Sequence, residues 1–235
     1  MTDTRPSGEP KGRPKLLKGA LAIYPESGGD PTLVVFQYNP DQVKRTFSAR
    51  TPPRSGAGGN QGAQKEDVLR VFGPPVESIQ LSIALSATDE FNVERNRGRD
   101  LADGVHRALA KLELLMYPRT TAVESAKNKA AKGQVQVAQA SVPLVLLVWG
   151  KSRVVPVMIT SFSVSEDAFD PQLNPLEAKV DLGLRVLTYV EFPPKSKGID
   201  AFKAYHTAKE NLAAQYQHGS DEKPIRSLLP PLGKR

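Results

Sequence analysis

The sequence predicts an α+β fold built mainly on an antiparallel sheet, and three observations carry that reading. Several stretches alternate apolar and polar residues with period two, most cleanly 76–85. There Ile79, Leu81, Ile83 and Leu85 face one way and Ser78, Gln80, Ser82 and Ala84 the other, as in a strand with one buried face. The elements run β-β-β-β-α-β-β-β-α, strands in runs rather than alternating with helices, which favours an antiparallel sheet, rolled or sandwiched, with a helix packed against it. No internal repeat and no second hydrophobic core interrupts the chain, so one main domain is expected over 15–192.

Residues 1–14 hold no apolar side chain beyond Met1 and are rich in proline and glycine, so a disordered basic tail is expected there. Leu16 to Tyr24 and Leu33 to Tyr38 read as two strands separated by the turn-forming run 25–31. Phe36-Gln37-Tyr38-Asn39-Pro40 ends the second strand, because a residue before proline is kept out of the helical region. Val43 to Ala49 is a third strand. The Gly/Pro-rich stretch 51–64 reads as a long mobile loop.

After the fourth strand the period changes. Leu101, Val105, Ala108, Leu109, Leu112, Leu115 and Met116 recur at helical spacing, and the helix stops before Pro118. Residues 119–141 read as a short helix or a flexible connection. Three strands follow within 143–190. Leu144, Leu146 and Val148 alternate with the equally apolar Val145 and Leu147, a strand covered on both faces. Trp149-Gly150-Lys151-Ser152 reads as a hairpin. Glu166 to Pro175 reads as a ten-residue extended connector, stiffened by Asp170-Pro171 and Asn174-Pro175, from which Phe169 docks onto the sheet edge or a neighbour while Asp167 or Asp170 caps backbone donors. Residues 193–235 read as a C-terminal helix over Asp200 to Gln217, marked by Phe202, Tyr205, Leu212 and Tyr216, followed by a Pro/Leu-rich tail.

Composition narrows the function. There is no cysteine among 235 residues, so disulfides and thiol chemistry are excluded. No apolar run approaches the roughly 20 residues of a membrane span, and the N-terminus lacks the apolar core of a secretory signal. The expectation is cytoplasmic synthesis without membrane insertion. The formal charge of +7 invites a nucleic-acid reading, but the basic residues are scattered: Arg5, Lys11, Arg13, Lys15 and Lys18 near the N-terminus, Arg50, Arg54 and Lys65 around the glycine-rich stretch, and Lys127, Lys129 and Lys132 further on. No aromatic-basic interleaving accompanies them, so nucleic-acid binding stands as the alternative rather than the main reading.

Nothing in the motifs points to catalysis. His106, His206 and His218 have no metal-ligand spacing, so no metal is expected. Gly56 to Gly62 fails both the dinucleotide fingerprint and the P-loop. Glu166, Asp167 and Asp170 lie beside X-Pro steps, where carboxylates commonly cap turns, and no nucleophile elbow occurs. No cofactor and no enzymatic activity are expected. Trp149 is open between an interface hot spot and a ring folded back over the sheet edge.

The ordered motifs FQYNP (36–40), PVESIQLSIALSATD (75–89), ALAKLELLMYP (108–118), LLVWG (146–150) and VVPVMITSFSVSEDAFDPQLNPLEAKVDLGLRVL (154–187) resemble the tube-like family of contractile injection systems. The resemblance is closer to its baseplate-hub member, which joins the inner tube to the spike. It implies a tube-protein-like β-barrel or sandwich, a homo-hexameric ring, and inner tube, spike and baseplate or sheath proteins as partners, incorporated into a particle that is kept in the cell or released by lysis. Family members often continue into a LysM module, and the one helix and tail after Val190 depart from that pattern. Interface candidates are Phe36, Tyr38, Asn39 and Pro40 in the first motif, Trp149 and Gly150 at the hairpin, and Phe169, Asp170, Pro171, Asn174 and Pro175 in the connector.

Overall fold

A computed structural model of the chain describes residues 17–25, 28–50, 71, 73–87, 103–118, 120–131, 142–216, 228 and 230. The strands are β1 (Ala20–Tyr24), β2 (Thr32–Val35), β3 (Val43–Ser48), β4 (Val76–Ser86), β5 (Leu144–Val148), β6 (Val154–Phe169) and β7 (Pro175–Val186). They form one antiparallel sheet of seven strands in the order β2-β1-β5-β6-β7-β4-β3. The helices are α1 (His106–Glu113), α2 (Thr120–Ala131) and α3 (Lys197–Ala214). The architecture is the α+β, mainly antiparallel one expected. Among the described residues no helix is long and apolar enough to cross a membrane. The expected tail 1–14 and loop 51–64 lie outside the described residues.

The inward residues of every strand meet in one core. Leu21, Ile79, Leu81, Ile83, Val145, Leu147, Val155, Val157, Val180, Leu182 and Leu184 are buried together, with Val34 and Val43 from the two edge strands packed against them. Strands from opposite ends of a seven-stranded sheet can share a core only if the sheet rolls up. Side chains of β6 keep to that core across a change of parity, since a bulge between Ile159 and Ser161 admits one extra residue and moves the inward set from Val155 and Val157 to Phe162 and Val164. On β5, Val145, Leu146 and Leu147 are all buried, so this strand is covered on both faces as its sequence implies.

The roll is closed by side chains rather than by another ladder. Just beyond β2, the amide of Gln37 donates to the Ser86 carbonyl (2.7 Å) and accepts from the Ser86 N–H (2.7 Å), standing in for a peptide group beside β4. Two residues on, Asn39 accepts from the Gly19 N–H (2.8 Å) and donates to the Leu17 carbonyl (3.0 Å), which fixes the entry to β1. Phe36, immediately before Gln37, is buried and packs at 6.4 Å from the Trp149 ring. Gly19 lies beneath both rings, where a Cβ would come within 2.7 Å of Trp149 and 2.8 Å of Phe36.

The first predicted helix is shorter than its periodicity suggests. α1 runs from His106 to Glu113, burying Leu109 and Leu112, while Met116 beyond it is exposed. Its start is set by Gly104, at φ +52, whose missing Cβ would sit 2.1 Å from the Pro175 carbonyl oxygen. That same carbonyl accepts from the Val105 N–H (2.9 Å), and at the other end Lys111 donates to the Leu33 carbonyl on β2. Residues 120–131, open between helix and connection in the sequence, are helical. α3 begins at an N-cap by Ser196 and buries Phe202 and Tyr205 in the same core, whereas Leu212 and Tyr216, read as its apolar markers, are exposed.

Gln37→Ala removes both bonds to Ser86 and is expected to cost about 1–3 kcal/mol, the penalty of unmatched backbone groups at a seam. Gly19→Ala forces the Trp149 and Phe36 rings apart and is expected to cost about 1–3 kcal/mol. Urea unfolding of both variants beside the parent chain checks these values.

Candidate assembly surface

β5 pairs with β6 only as far as Val157, opposite Val145, yet β6 runs on to Phe169. From Met158 onward its ladder among the described residues is with β7 alone, and no described strand pairs with the other edge of that half. The connector expected over 166–175 is in fact a strand end, a tight turn and a strand start, since Phe169 pairs with Pro175. The chain reverses over Asp170–Asn174. The physical reason is local: the Asp170 carboxylate accepts from the backbone N–H groups of Gln172 and Asn174 (both 2.8 Å) and from the Asn174 side chain (2.9 Å), while the Asp170 N–H donates to the Asn174 carbonyl. Pro175 opens a strand, a position where its missing N–H is tolerated. The Asn174 side chain and then its backbone N–H hold the Asp170 carboxyl below the usual carboxylate range, with Gln172 and the charge of His106 adding to them against a weak opposing effect of burial.

This turn presents apolar side chains to solvent. Phe169 is 51% exposed and Leu173 77%, with Leu176 also exposed. Phe169 therefore does not bury in the chain's own sheet edge. Leu173 adopts φ +66, a left-handed conformation uncommon for a branched side chain.

The other candidates divide between inside and outside. Phe36 and Pro175 are buried and Trp149 is folded back over Gly19 and Phe36, while Asn39 holds the entry to β1. Gly150 takes φ +76 at the β5–β6 hairpin, where Trp149 N–H donates to the Arg153 carbonyl. Tyr38 is exposed, Pro40 half-buried and Pro171 exposed on the turn. A further exposed strip lies on edge strand β2, where Leu33 and Val35 point outward beside the Leu33 carbonyl that Lys111 occupies.

At another part of the sheet two carboxylates organise charge. Glu77 sits at the inward parity of β4 and is 3% exposed. Arg45 bonds it at 2.8 Å, the Tyr205 hydroxyl donates to both of its oxygens at 3.0 and 3.1 Å, and Lys209 donates at 3.1 Å. These bonds tie α3 to β3 and β4. Glu191 takes Arg50 on one oxygen and the Thr188 hydroxyl and N–H on the other, and Arg50 also donates to the Pro74 carbonyl at 2.8 Å. Arg50 thereby ties Pro74, just before β4, to the turn before α3. Burial opposes ionisation of Glu191, but the bonds from Thr188 and Arg50 and the charge of Arg50 outweigh it and hold the carboxyl below its ordinary range. Among the described residues no cluster of ligating side chains could hold a metal ion.

No family model matches the chain and no curated protein matches it. Among solved structures it is similar to a chain in the tail of an empty gene transfer agent particle with C6 symmetry, at 14% identity and TM-score 0.27, covering 72% of this chain and 90% of that one. It is also similar to a chain in the virion of a native gene transfer agent particle, at 13% identity and TM-score 0.24, over the same shares of 72% and 90%. Overlap at this level assigns no role.

Because the folded-state pKa of Glu191 is depressed, its contribution to stability is complete above the ordinary value of 4.5 and is lost as pH falls through the folded value. Glu191→Gln is expected to lower stability by about 1–3 kcal/mol at neutral pH and to flatten the acid limb below that value. Denaturant midpoints of parent and variant across that range check it, and parallel acid limbs would refute it.

Proposed function

We propose that this chain is a structural ring component of a contractile, phage-tail-like injection particle, adapting the spike and hub to the inner tube and nucleating tube assembly. On this reading it forms a homo-hexameric ring, contacts the inner tube, spike and baseplate or sheath proteins, and has no catalytic role. It is made in the cytoplasm and acts within the particle.

The observation that carries the reading is the set of open strand edges. Among the described residues β2 and β3 end the sheet, and no strand pairs with the second edge of β6 beyond Val157. Beside them stand exposed Leu33 and Val35 on β2, and Phe169 and Leu173 at the β6–β7 turn. Long open edges flanked by apolar side chains are an aggregation hazard in a monomer and are relieved when a closed ring lets each edge meet the next subunit. The resemblance of the ordered motifs to the tube-like family of contractile injection systems supports this choice of neighbours.

Particles recovered on a tagged copy of this chain should show six copies in one ring between spike and tube by cryo-electron microscopy. One copy, a three-fold arrangement, or no particle would sink the reading.

Within it, Phe169→Ala and Leu173→Ala should leave the monomer within about 0.5 kcal/mol of the parent, as for surface positions, while particle yield falls. Undiminished yield from the double variant would remove the turn from the assembly surface. A monomer loss near 3 kcal/mol would place Phe169 in the core.

A further inference from the structure

We propose that copies of this chain meet head to tail, the β6–β7 turn of one seated on the outward face of β2 in the next, with the carboxylates beside the turn set against the lysines that flank β2. The pairing rests on the ring-forming reading given above and supplies that ring with its contact. Three features of the molecule support it.

The first is a tip that holds apolar side chains outward. Phe169 is 51% and Leu173 77% exposed, and Ala168 and Leu173 take φ +54 and +66. Left-handed backbone away from glycine is uncommon and persists where the surrounding bonds over-determine it. Here the Asp170 carboxylate supplies three of those bonds, from the Gln172 and Asn174 N–H groups and from the Asn174 side chain. Glycine would take the Leu173 conformation without strain. The leucine side chain buries little in its own chain, so its apolar surface is available to a partner. A tip already fixed in shape also loses little entropy on docking.

The second is charge. Residues 166–177 hold Glu166, Asp167, Asp170 and Glu177 and no lysine or arginine, and Glu166, Asp167 and Glu177 are exposed. On β2, Leu33 and Val35 are each 53% exposed, and residues 31–40 hold no carboxylate. A lysine stands at each end of that strip. Lys111 donates to the Leu33 carbonyl at 3.2 Å, and Lys18 donates to the Gln37 carbonyl at 2.8 Å. Leu114, three residues after Lys111 and so on the same side of the chain there, is exposed as well. An apolar tip among carboxylates and an apolar strip between ammonium groups match in both respects.

The third is position. The Pro175 carbonyl, at the foot of the turn, accepts from the Val105 N–H at the start of α1, whereas Lys111 near the end of α1 holds β2. Both surfaces are thus bonded to one short helix, about 9 Å apart along its axis, and the tip cannot fold onto the strip of its own chain. A surface and its complement at two different places on one molecule make a heterologous contact. Such a contact repeats from copy to copy and closes into a ring when the rotation allows.

The chain has no cysteine, so single replacements report which surfaces meet. Leu173→Cys chains are mixed with tagged Val35→Cys chains at about 1 mM, where even a millimolar contact is half formed. The mixed disulfide should form about tenfold faster than either variant links to itself. Glu166→Lys with Asp167→Lys on the Leu173→Cys chain, or about 1 M salt, should slow the mixed reaction to those self-linking rates. Melting curves show that each variant is folded, and the salt series serves alone if the charge-reversed chain is not. Faster self-linking of Leu173→Cys, equal rates for all three disulfides, or a mixed rate indifferent to charge and salt would overturn the pairing. Six-fold particles in which a chain carrying both cysteines stays unlinked would overturn the pairing and leave the function standing. The mixed disulfide without any particle would support the pairing and strike the function.

Discussion

Backbone hydrogen-bonding groups left at the margin of a rolled sheet must find partners, and here two side-chain amides supply them. Gln37 meets Ser86 on β4 and Asn39 meets Gly19 and Leu17 at the entry to β1, so residues 36–39 hold one end of the sheet to β4 near its other end. The close approach of Trp149 and Phe36 over Gly19 depends on that seam, and the shared core depends on the roll it closes. A side-chain amide has the donor and acceptor of a peptide group without requiring a continuous strand. That allows the chain to change direction at Tyr38 while the bonding continues.

The same roll separates two kinds of surface. Toward β2 the outward residues are apolar at Leu33 and Val35, and at the β6–β7 turn they are Phe169 and Leu173. Over β4, β7 and distal β6 they are serines and charges. The apolar places coincide with open strand edges, where main-chain bonding and side-chain burial can be satisfied together by a neighbour. The polar face is unsuited to that. Glu77 and Glu191 then lock α3 and Arg50 onto the sheet through arginine and lysine partners that remain partly exposed.

Much of this was legible in the residues, though unevenly. The alternation of β4 and β7 reads straight into buried and exposed faces, because each strand has one dry side. The parity change on β6 is also visible, once Val155-Val157 and Phe162-Val164 are seen to be out of phase by one residue. Glu77 falls on the inward parity of β4 and so announces a buried carboxylate, but its partners Arg45, Tyr205 and Lys209 come from positions up to 132 residues away. The segment 166–175 shows the reverse difficulty. Two X-Pro steps correctly indicate extended backbone, yet the Asp170 carboxylate gathers the turn into so few residues that both ends pair as strand.

What the sequence by itself determined is therefore what depends on neighbours along the chain: periodicity, the α+β class, the hairpin glycine and the absence of thiol chemistry. Only the tertiary structure decided which of the singled-out residues face a partner. Phe36 is an interface candidate in the sequence and Trp149 is open between interface and fold-back, and both are packed into the seam, while Phe169 and Leu173 of the connector stand exposed on the turn. The physical reason is that exposure is set by the roll of the sheet and by which edges it leaves open. Those follow from contacts such as Gln37 to Ser86, between residues that no local pattern relates.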